Sequence, residues 1–196
     1  MATVIRKALS YLLKPAYEHR VYRLYMIDLL KQETPGPANI EGVEFRYLGT
    51  GDIAAIDQVQ NNSEWLRGTL QKRLEAGGLC IAGFENGKLA GFNLISFGEV
   101  FMPLVNLRRR FRRDEAWSEQ IAVVKGFRKH GLASSLRYRI FQELRSRGFR
   151  KLYGGALIDN LPSLKLARRV GFREFVDIGY RRLLNSKTWQ YTRVRP

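Results

Sequence analysis

The 196-residue sequence is poor in the residue types from which disulfides, metal sites and membrane spans are built. Its one cysteine, Cys80, cannot form a disulfide within the chain, and only two histidines, His19 and His130, accompany it, so we expect no metal site. No apolar run approaches the ~20 residues that a spanning helix requires. Charges interrupt the first stretch, MATVIRKALSYLLK, unlike the apolar core of a secretory signal. These absences predict a cytoplasmic protein.

Acidic residues are also scarce, since 18 Asp and Glu face 34 Lys and Arg and leave a net charge of +16. This excess favours anionic partners, and nucleic acid, anionic lipid and a phosphorylated cofactor all remain open. The positive charge is most concentrated in RRRFRR, Arg108 to Arg113. We interpret this run as a solvated basic loop, or alternatively as a contact for an acidic substrate or a membrane surface.

Residues 1–39 are predicted to be a basic, amphipathic helical extension that ends in a linker. Apolar residues between Val4 and Leu13 recur at helical spacing, and Pro15 ends that helix. A second helix is predicted around Tyr17 to Tyr25. These helices would pack on the domain or on a second subunit of a homodimer, or would lie on a membrane as a peripheral anchor. The linker ETPGPANIEG places the start of the main domain, residues 40–196, near Ile40.

The main domain is predicted to be an α/β domain with a mixed sheet and a right-handed crossover in its later half. The Asn-Gly pair of ENGK suits the tight turn of a hairpin. Strands are predicted at VEFRYL, GLCIAGF, KLAGFNLISF, AWSEQIAVV, KLYGGALI and REFVDIGYRRLL, and helices at DIAAIDQV, SEWLRGTLQKRLEAGG, Ser134–Arg147 and LPSLKLARRV.

The stretch RKHGLA, Arg128 to Ala133, separates a predicted strand from a long predicted helix. Unpaired backbone N–H groups at a helix N-terminus bind anions, and Gly131 permits close approach of a ligand to the backbone. The alternative is an ordinary charged helix entrance, because a pattern this short recurs by chance.

The wider sequence resembles the GNAT superfamily of N-acetyltransferases over roughly Ile40 to Leu184. The resemblance depends on the order of several short motifs rather than on any one of them. The matching residues are Ile121, Ala122 and Val123 at the end of a strand, then Arg128, Gly131 and Ala133, and later Asn160, Ser163, Gly171 and Phe172.

The resemblance implies a mixed, mostly antiparallel central sheet flanked by helices, in which a splayed strand pair forms a cleft for acetyl-CoA. It implies that Ile121 to Val123 pair with pantetheine, that the backbone from Lys129 to Ser134 binds the pyrophosphate, and that Asn160 bonds near the thioester while it also caps a helix. The acetyl-CoA residues implied are Ile121, Ala122, Val123, Arg128, Lys129, His130, Gly131, Leu132, Ala133, Ser134, Asn160 and Ser163.

Acetyl transfer to an amine requires a base, and Glu119 on the central strand is our first choice, ahead of Asp114 and Glu115. We expect it to share alternation with Ile121 and Val123, and an ion pair with an arginine is the alternative role. A strand N–H, that of Val123 or Ile121, would polarise the thioester carbonyl.

The family often carries a tyrosine as the acid where this sequence has Ala167. This departure leaves water, a substrate group, Tyr153 or Tyr180 to protonate the thiolate.

The leading hypothesis is therefore an N-acetyltransferase that moves acetyl, or another short acyl group, from acyl-CoA to a small-molecule or peptide amine by direct transfer in a ternary complex. The basic run suggests an anionic acceptor. A non-catalytic CoA-binding or regulatory module on the same fold is the alternative. Nucleic-acid binding is least favoured, because the sequence has no stacking motif or recognition helix.

Overall fold

The computed structural model describes residues 17–53, 63–128 and 130–194, which contain ten strands and three α-helices. The strands are β1 (Tyr17–Asp28), β2 (Val43–Tyr47), β3 (Leu79–Glu85), β4 (Lys88–Ser96), β5 (Glu99–Met102), β6 (Leu107–Arg110), β7 (Glu115–Val123), β8 (Lys151–Leu157), β9 (Arg173–Leu183) and β10 (Ser186–Arg193). The helices are α1 (Ser63–Glu75), α2 (Leu132–Ser146) and α3 (Leu161–Arg169). None of the helices in these residues is long and apolar enough to cross a membrane.

Eight strands form one sheet in the order β10-β9-β1-β8-β7-β4-β3-β2. Every neighbouring pair is antiparallel except β7 and β8, which run parallel because α2 connects them. The predicted mixed, mostly antiparallel sheet is therefore confirmed. The predicted hairpin between β3 and β4 is confirmed too, with positive φ angles of 51° at Asn86 and 73° at Gly87 in its turn.

The helix predicted around Tyr17 to Tyr25 is wrong, because these residues begin the central strand β1. β1 pairs with β8 on one edge and with β9 on the other, and it buries side chains on both faces of the sheet. A strand that is apolar on both faces loses its period-2 pattern, and its spacing then also fits a helical stripe. The helix predicted between Val4 and Leu13 lies outside the described residues.

The basic run Arg108 to Arg113 is not the predicted loop. Its first half belongs to β6, which pairs with β5 in a separate two-stranded sheet, and Arg108 pairs with Glu99 across that hairpin. Phe111 is buried, and Arg109 lies over its ring and that of Tyr153. Sequence alone suggested solvation because five of the six residues are charged, but Phe111 fixes the run to the core.

Two layers cover the sheet on opposite faces. Neighbouring residues of β3 show this, since Ile81 packs with Leu136 of α2 and Ala82 packs with Leu70 of α1. α3 shares the α2 face through Leu164. The β5–β6 hairpin covers the other face beside β1 and β9. Residues 54–62, which include most of the predicted helix DIAAIDQV, lie outside the described residues.

Candidate active site

The parallel strands β7 and β8 separate halfway along their length. Their pairing runs from Glu115 opposite Lys151 to Ser118 opposite Gly154 and then stops. β7 continues to Val123 and pairs only with β4, while β8 continues to Leu157 and pairs only with β1. Each strand therefore has a backbone edge that faces a gap rather than its neighbour, which is the splayed geometry that the family resemblance implied.

A β-bulge in β7 marks the point of divergence. Leu94 of β4 lies opposite Gln120, and the next residue of β4, Ile95, lies opposite Ser118, so Glu119 is the extra residue. Bulges bend a strand and redirect a side chain. The expected alternation of Glu119 with Ile121 and Val123 is therefore wrong: those two side chains pack toward the α2 face, whereas Glu119 contacts Arg73 of α1 on the opposite face.

The gap opens into a cavity of about 770 Å³ between the unpaired part of β7 and the N-termini of α2 and α3. Seven of the residues assigned to acetyl-CoA from the sequence line it, together with five others. The seven are Ile121, Ala122, Val123, Arg128, Ala133, Asn160 and Ser163. An open strand edge beside a cavity of this size suits an extended ligand that adds main-chain hydrogen bonds to the sheet.

The N-terminus of α2 offers backbone donors on one side of this cavity. Gly131 precedes the helix with φ of 79°, and no side chain caps the helix. The first backbone N–H groups of a helix have no intrahelical acceptor, and the N-terminus carries partial positive charge. Arg128 adds a full positive charge at the cavity wall, while its Nε donates to the Val123 carbonyl at 3.2 Å.

The remaining residues of the predicted pyrophosphate loop lie differently. His130 and Gly131 are exposed, Ser134 is half-buried, and none of the three lines the cavity. The side chain of Leu132 is buried in the core, so only its backbone is free to face a ligand. Lys129 lies outside the described residues.

Asn160 lies where both of the roles expected for it are possible, but the structure shows a hydrogen bond for only one of them. Its Oδ1 accepts from the backbone N–H of Ser163 at 3.3 Å, which caps α3. The same residue lines the large cavity and a smaller neighbouring one.

The smaller cavity measures about 190 Å³ and continues the larger one into the gap between β7 and β8. The two cavities share Gln120, Ile121, Asn160 and Ser163. The smaller one is lined in addition by Tyr22, Tyr25, Leu104, Ser118, Glu119, Arg137, Gly155, Ala156 and Leu157. Because these residues come from both faces of the sheet, the smaller cavity passes through it.

Glu119 lies at this passage with only 12% of its side chain exposed. Its Oε2 lies 2.7 Å from Nε of Arg73, and its Oε1 accepts from Nη2 of the same residue at 3.0 Å. The hydroxyl of Ser96 also donates to Oε2. The arginine partner that the sequence offered as an alternative role is thus present, and the carboxylate also faces the cavity.

Tyr22 and Tyr25 are site residues that the sequence interpretation missed, because both belong to β1. They lie against the two consecutive glycines of β8: a Cβ at Gly154 would be 2.5 Å from the ring of Tyr25, and one at Gly155 would overlap the ring of Tyr22. Glycine inside a strand signals close approach of another group. The Gly-Gly pair in KLYGGALI was therefore the available signal.

Tyr153 and Tyr180, the two tyrosines proposed from the sequence, do not line either cavity. The Tyr153 hydroxyl donates to Glu115 at 3.0 Å, and burial together with this carboxylate raises the pKa of Tyr153 to about 12. Tyr180 packs against Trp189, and Ala167 is buried in the core. Tyr22 and Tyr25 are thus the phenols beside the gap.

Among the described residues, no cluster of His, Cys, Asp and Glu could hold a metal ion.

The comparisons with known proteins agree with this geometry. The model of the acetyltransferase (GNAT) family matches residues 50–172, which is more than half of the chain. No curated protein matches the sequence significantly.

Several solved structures share the fold at low sequence identity. A GCN5-related N-acetyltransferase from Sphaerobacter thermophilus is 20% identical with a TM-score of 0.59, covering 97% of this chain and 57% of that one. A tandem GNAT protein from the clavulanic acid biosynthesis pathway is 14% identical with a TM-score of 0.61, covering 97% and 59%. A putative GNAT acetyltransferase from Novosphingobium aromaticivorans DSM 12444 is 19% identical with a TM-score of 0.60, covering 89% and 69%.

The chain thus spans less than two thirds of the length of the first two of these structures. The family model covers the bulged strand β7, the turn before α2, and α3, which are the parts that build the cavity. The chain belongs to the GNAT family of acetyltransferases.

Proposed function

We propose that the protein transfers an acetyl or other short acyl group from acyl-CoA to an amine by direct attack in a ternary complex. The observation that carries this proposal is that the unpaired edge of β7 and the uncapped N-terminus of α2 open into the same cavity. Acyl-CoA is an extended molecule with a diphosphate at one end of its arm and a thioester at the other. An anion site joined to an open strand edge fits both parts.

The chain's own groups account for binding in this proposal. Backbone groups of Ile121 to Val123 pair with the two amides of pantetheine, as an added strand would. The first N–H groups of α2 and the guanidinium of Arg128 bind the diphosphate. The thioester then lies at the Glu119 bulge, where the larger cavity narrows into the smaller.

Glu119 accepts the proton of the attacking amine, directly or through a water molecule. A lysine-like ammonium has an ordinary pKa of ~10.4, so a base is needed near neutral pH. Arg73 and Ser96 fix the carboxylate at the bulge by three contacts from two elements. A backbone N–H of the open β7 edge polarises the thioester carbonyl.

Tyr22 is the proposed proton donor to the departing thiolate. Burial raises the pKa of its phenol well above the ordinary value, and the nearby Tyr25 and Glu119 raise it further. The group therefore stays protonated across the pH range in which the protein is assayed. Under this proposal Tyr22, which lines the smaller cavity, takes the acid role in a chain that has alanine at position 167.

Replacing Tyr22 with Phe is expected to lower the rate of CoA release roughly tenfold, toward the low end of general-acid effects because a thiolate is a tolerable leaving group. Acetyl-CoA binding should change little, since the ring remains. Because the pKa of Tyr22 is raised, wild-type activity should show no alkaline decline from this phenol up to about pH 10.

The matched control is Tyr25→Phe, which removes a hydroxyl that bonds the Gly155 carbonyl at 3.4 Å. The assignment fails if Tyr22→Phe retains full turnover, or if Tyr25→Phe alone lowers it.

Calorimetry with acetyl-CoA, followed by an assay of CoA release with a panel of amines, tests the proposed function. We expect micromolar to millimolar binding and amine-dependent release. Folded protein that does not bind acetyl-CoA at millimolar ligand and low salt contradicts the proposal. Binding without release by any amine would favour the non-catalytic module, for which the buried Ala167 is the motivating observation.

A further inference from the structure

Arg137 of α2 is a buried cation without a carboxylate partner among the described residues. The residue is 3% exposed and forms no ion pair within the part of the chain that the structure describes. Its guanidinium carbon lies 5.4 Å from the ring centroid of Phe172. Burial lowers the pKa of Arg137. A buried charge is costly unless it is paired, so this arginine calls for an anion that the described residues do not supply.

The neighbours of Arg137 form a small polar cluster of neutral groups. Its Nη1 donates to the hydroxyl of Ser118 and lies 3.5 Å from Oδ1 of Asn93. Two donors of this cluster have no hydrogen-bond partner although they are buried, namely Nε of Arg137 and Nδ2 of Asn93. The cluster is therefore rich in donors and short of acceptors, which is the composition that an incoming anion completes.

The cluster faces the smaller cavity. Arg137 and Ser118 both line it, on the α2 face of the sheet, whereas Glu119 lines it from the opposite face. At about 190 Å³ the cavity has room for a small polar group beyond the thioester. Guanidinium groups bind carboxylates through paired hydrogen bonds, and such charge-assisted bonds are strong where water is excluded.

We propose that Arg137 binds a carboxylate of one of the two reactants in the smaller cavity. This inference rests on the proposed function and narrows its substrate class. The carboxylate has two sources, the free end of a dicarboxylic acyl group on CoA or the carboxylate of an amino-acid-like acceptor. The chemistry at Arg137 is the same in both.

Two arms of one binding experiment distinguish the sources. In the first, calorimetry compares malonyl-CoA and succinyl-CoA with acetyl-CoA. In the second, with CoA present, it compares glycine, alanine, phenylalanine and glutamate with the amide of each. We expect the carboxylate member to bind at least tenfold more tightly in one arm, and Arg137→Met to remove that preference, since loss of one partner from a buried charge pair weakens binding by roughly 30-fold or more.

Arg139→Met is the matched control, because Arg139 lies on the same helix, bonds Asn39 and stacks on Phe45 away from the cavity. Arg139→Met should keep the preference for the carboxylate ligand.

Arg137→Met should also unfold at a higher temperature than wild type, because an apolar side chain of similar length removes the unpaired charge. If Arg137 has only a structural role, Arg137→Met should instead unfold at a lower temperature than wild type. Arg137→Lys, which keeps a charge, is the variant to test if Arg137→Met does not fold.

The inference is overturned if acetyl-CoA binds but neither arm shows a carboxylate preference, or if the preference survives in Arg137→Met. If no acyl-CoA binds at all, the proposed function falls as well. The two failures are therefore told apart by the acetyl-CoA titration alone.

Discussion

Glu119→Gln is expected to lower the rate of amine-dependent CoA release by about 100-fold or more, the effect typical of losing a general base. The amide has the same shape as the carboxylate and its oxygen still accepts from Arg73 and Ser96, but it cannot take a proton. Acetyl-CoA affinity should therefore stay near that of wild type. A thiol reagent can follow the release, because the one cysteine, Cys80, is buried and burial raises the pKa of its thiol to about 12.

The control for this variant is Arg73→Met, which breaks the ion pair and leaves the carboxylate in place. Glu119→Gln keeps hydrogen bonds to Arg73 and Ser96, whereas Arg73→Met leaves a largely buried carboxylate with Ser96 alone, so Arg73→Met should lower the free energy of unfolding more. Only the glutamate variant should lose most of its turnover. Equal losses in the two variants would show that Glu119 acts as a structural ion-pair partner, and an active Glu119→Gln would exclude it as the base.

Ala133→Glu is expected to weaken acetyl-CoA binding by roughly 100-fold while the unfolding temperature stays the same or rises. Ala133 lies in the first turn of α2 and lines the large cavity. A carboxylate about 5 Å from a diphosphate costs about 3 kcal/mol at an effective dielectric constant of about 20. The same carboxylate interacts favourably with the helix N-terminus, so folding does not suffer.

Ala133→Gln separates charge from size, because glutamine fills the same space without a charge. If it weakens binding as much as glutamate does, steric filling is the cause and the anion site is not established. If Ala133→Glu binds acetyl-CoA normally in calorimetry, the diphosphate does not lie at the N-terminus of α2. Raising the ionic strength should reduce the difference between the two variants, since salt screens the repulsion.

The parts of the site that depend on consecutive residues could be predicted from the sequence. The turn from Arg128 to Ala133 and the cap at Asn160 are local, because their backbone geometry follows from residues next to each other. In both cases the pattern of neighbouring residues carries the physical reason for the structure. The position of β7 beside the cavity, by contrast, was implied by the family resemblance and not by the local pattern.

The parts that were missed depend on pairing between distant segments. The bulge at Glu119 exists only relative to β4, so alternation within β7 could not reveal it. Tyr22 and Tyr25 reach the gap because β1 lies beside β8, and Arg137 stands out from the other arginines only once its contacts with Asn93 and Ser118 are known. In the sequence alone, Arg137 cannot be distinguished from the other basic residues of its helix.

The position of β1 between β8 and β9 also bears on how the chain is made. Arg23 of β1 bonds Asp177 of β9, a residue 154 positions later in the sequence. β1 therefore emerges from the ribosome long before β8 and β9 are synthesised, and both of its edges remain unpaired until then. Closing so long a loop is slow and leaves an apolar strand exposed meanwhile. Co-translational folding can assemble β2, β3, β4 and β7 early, but Tyr22 and Tyr25 reach their positions beside the gap only after β8 has been synthesised.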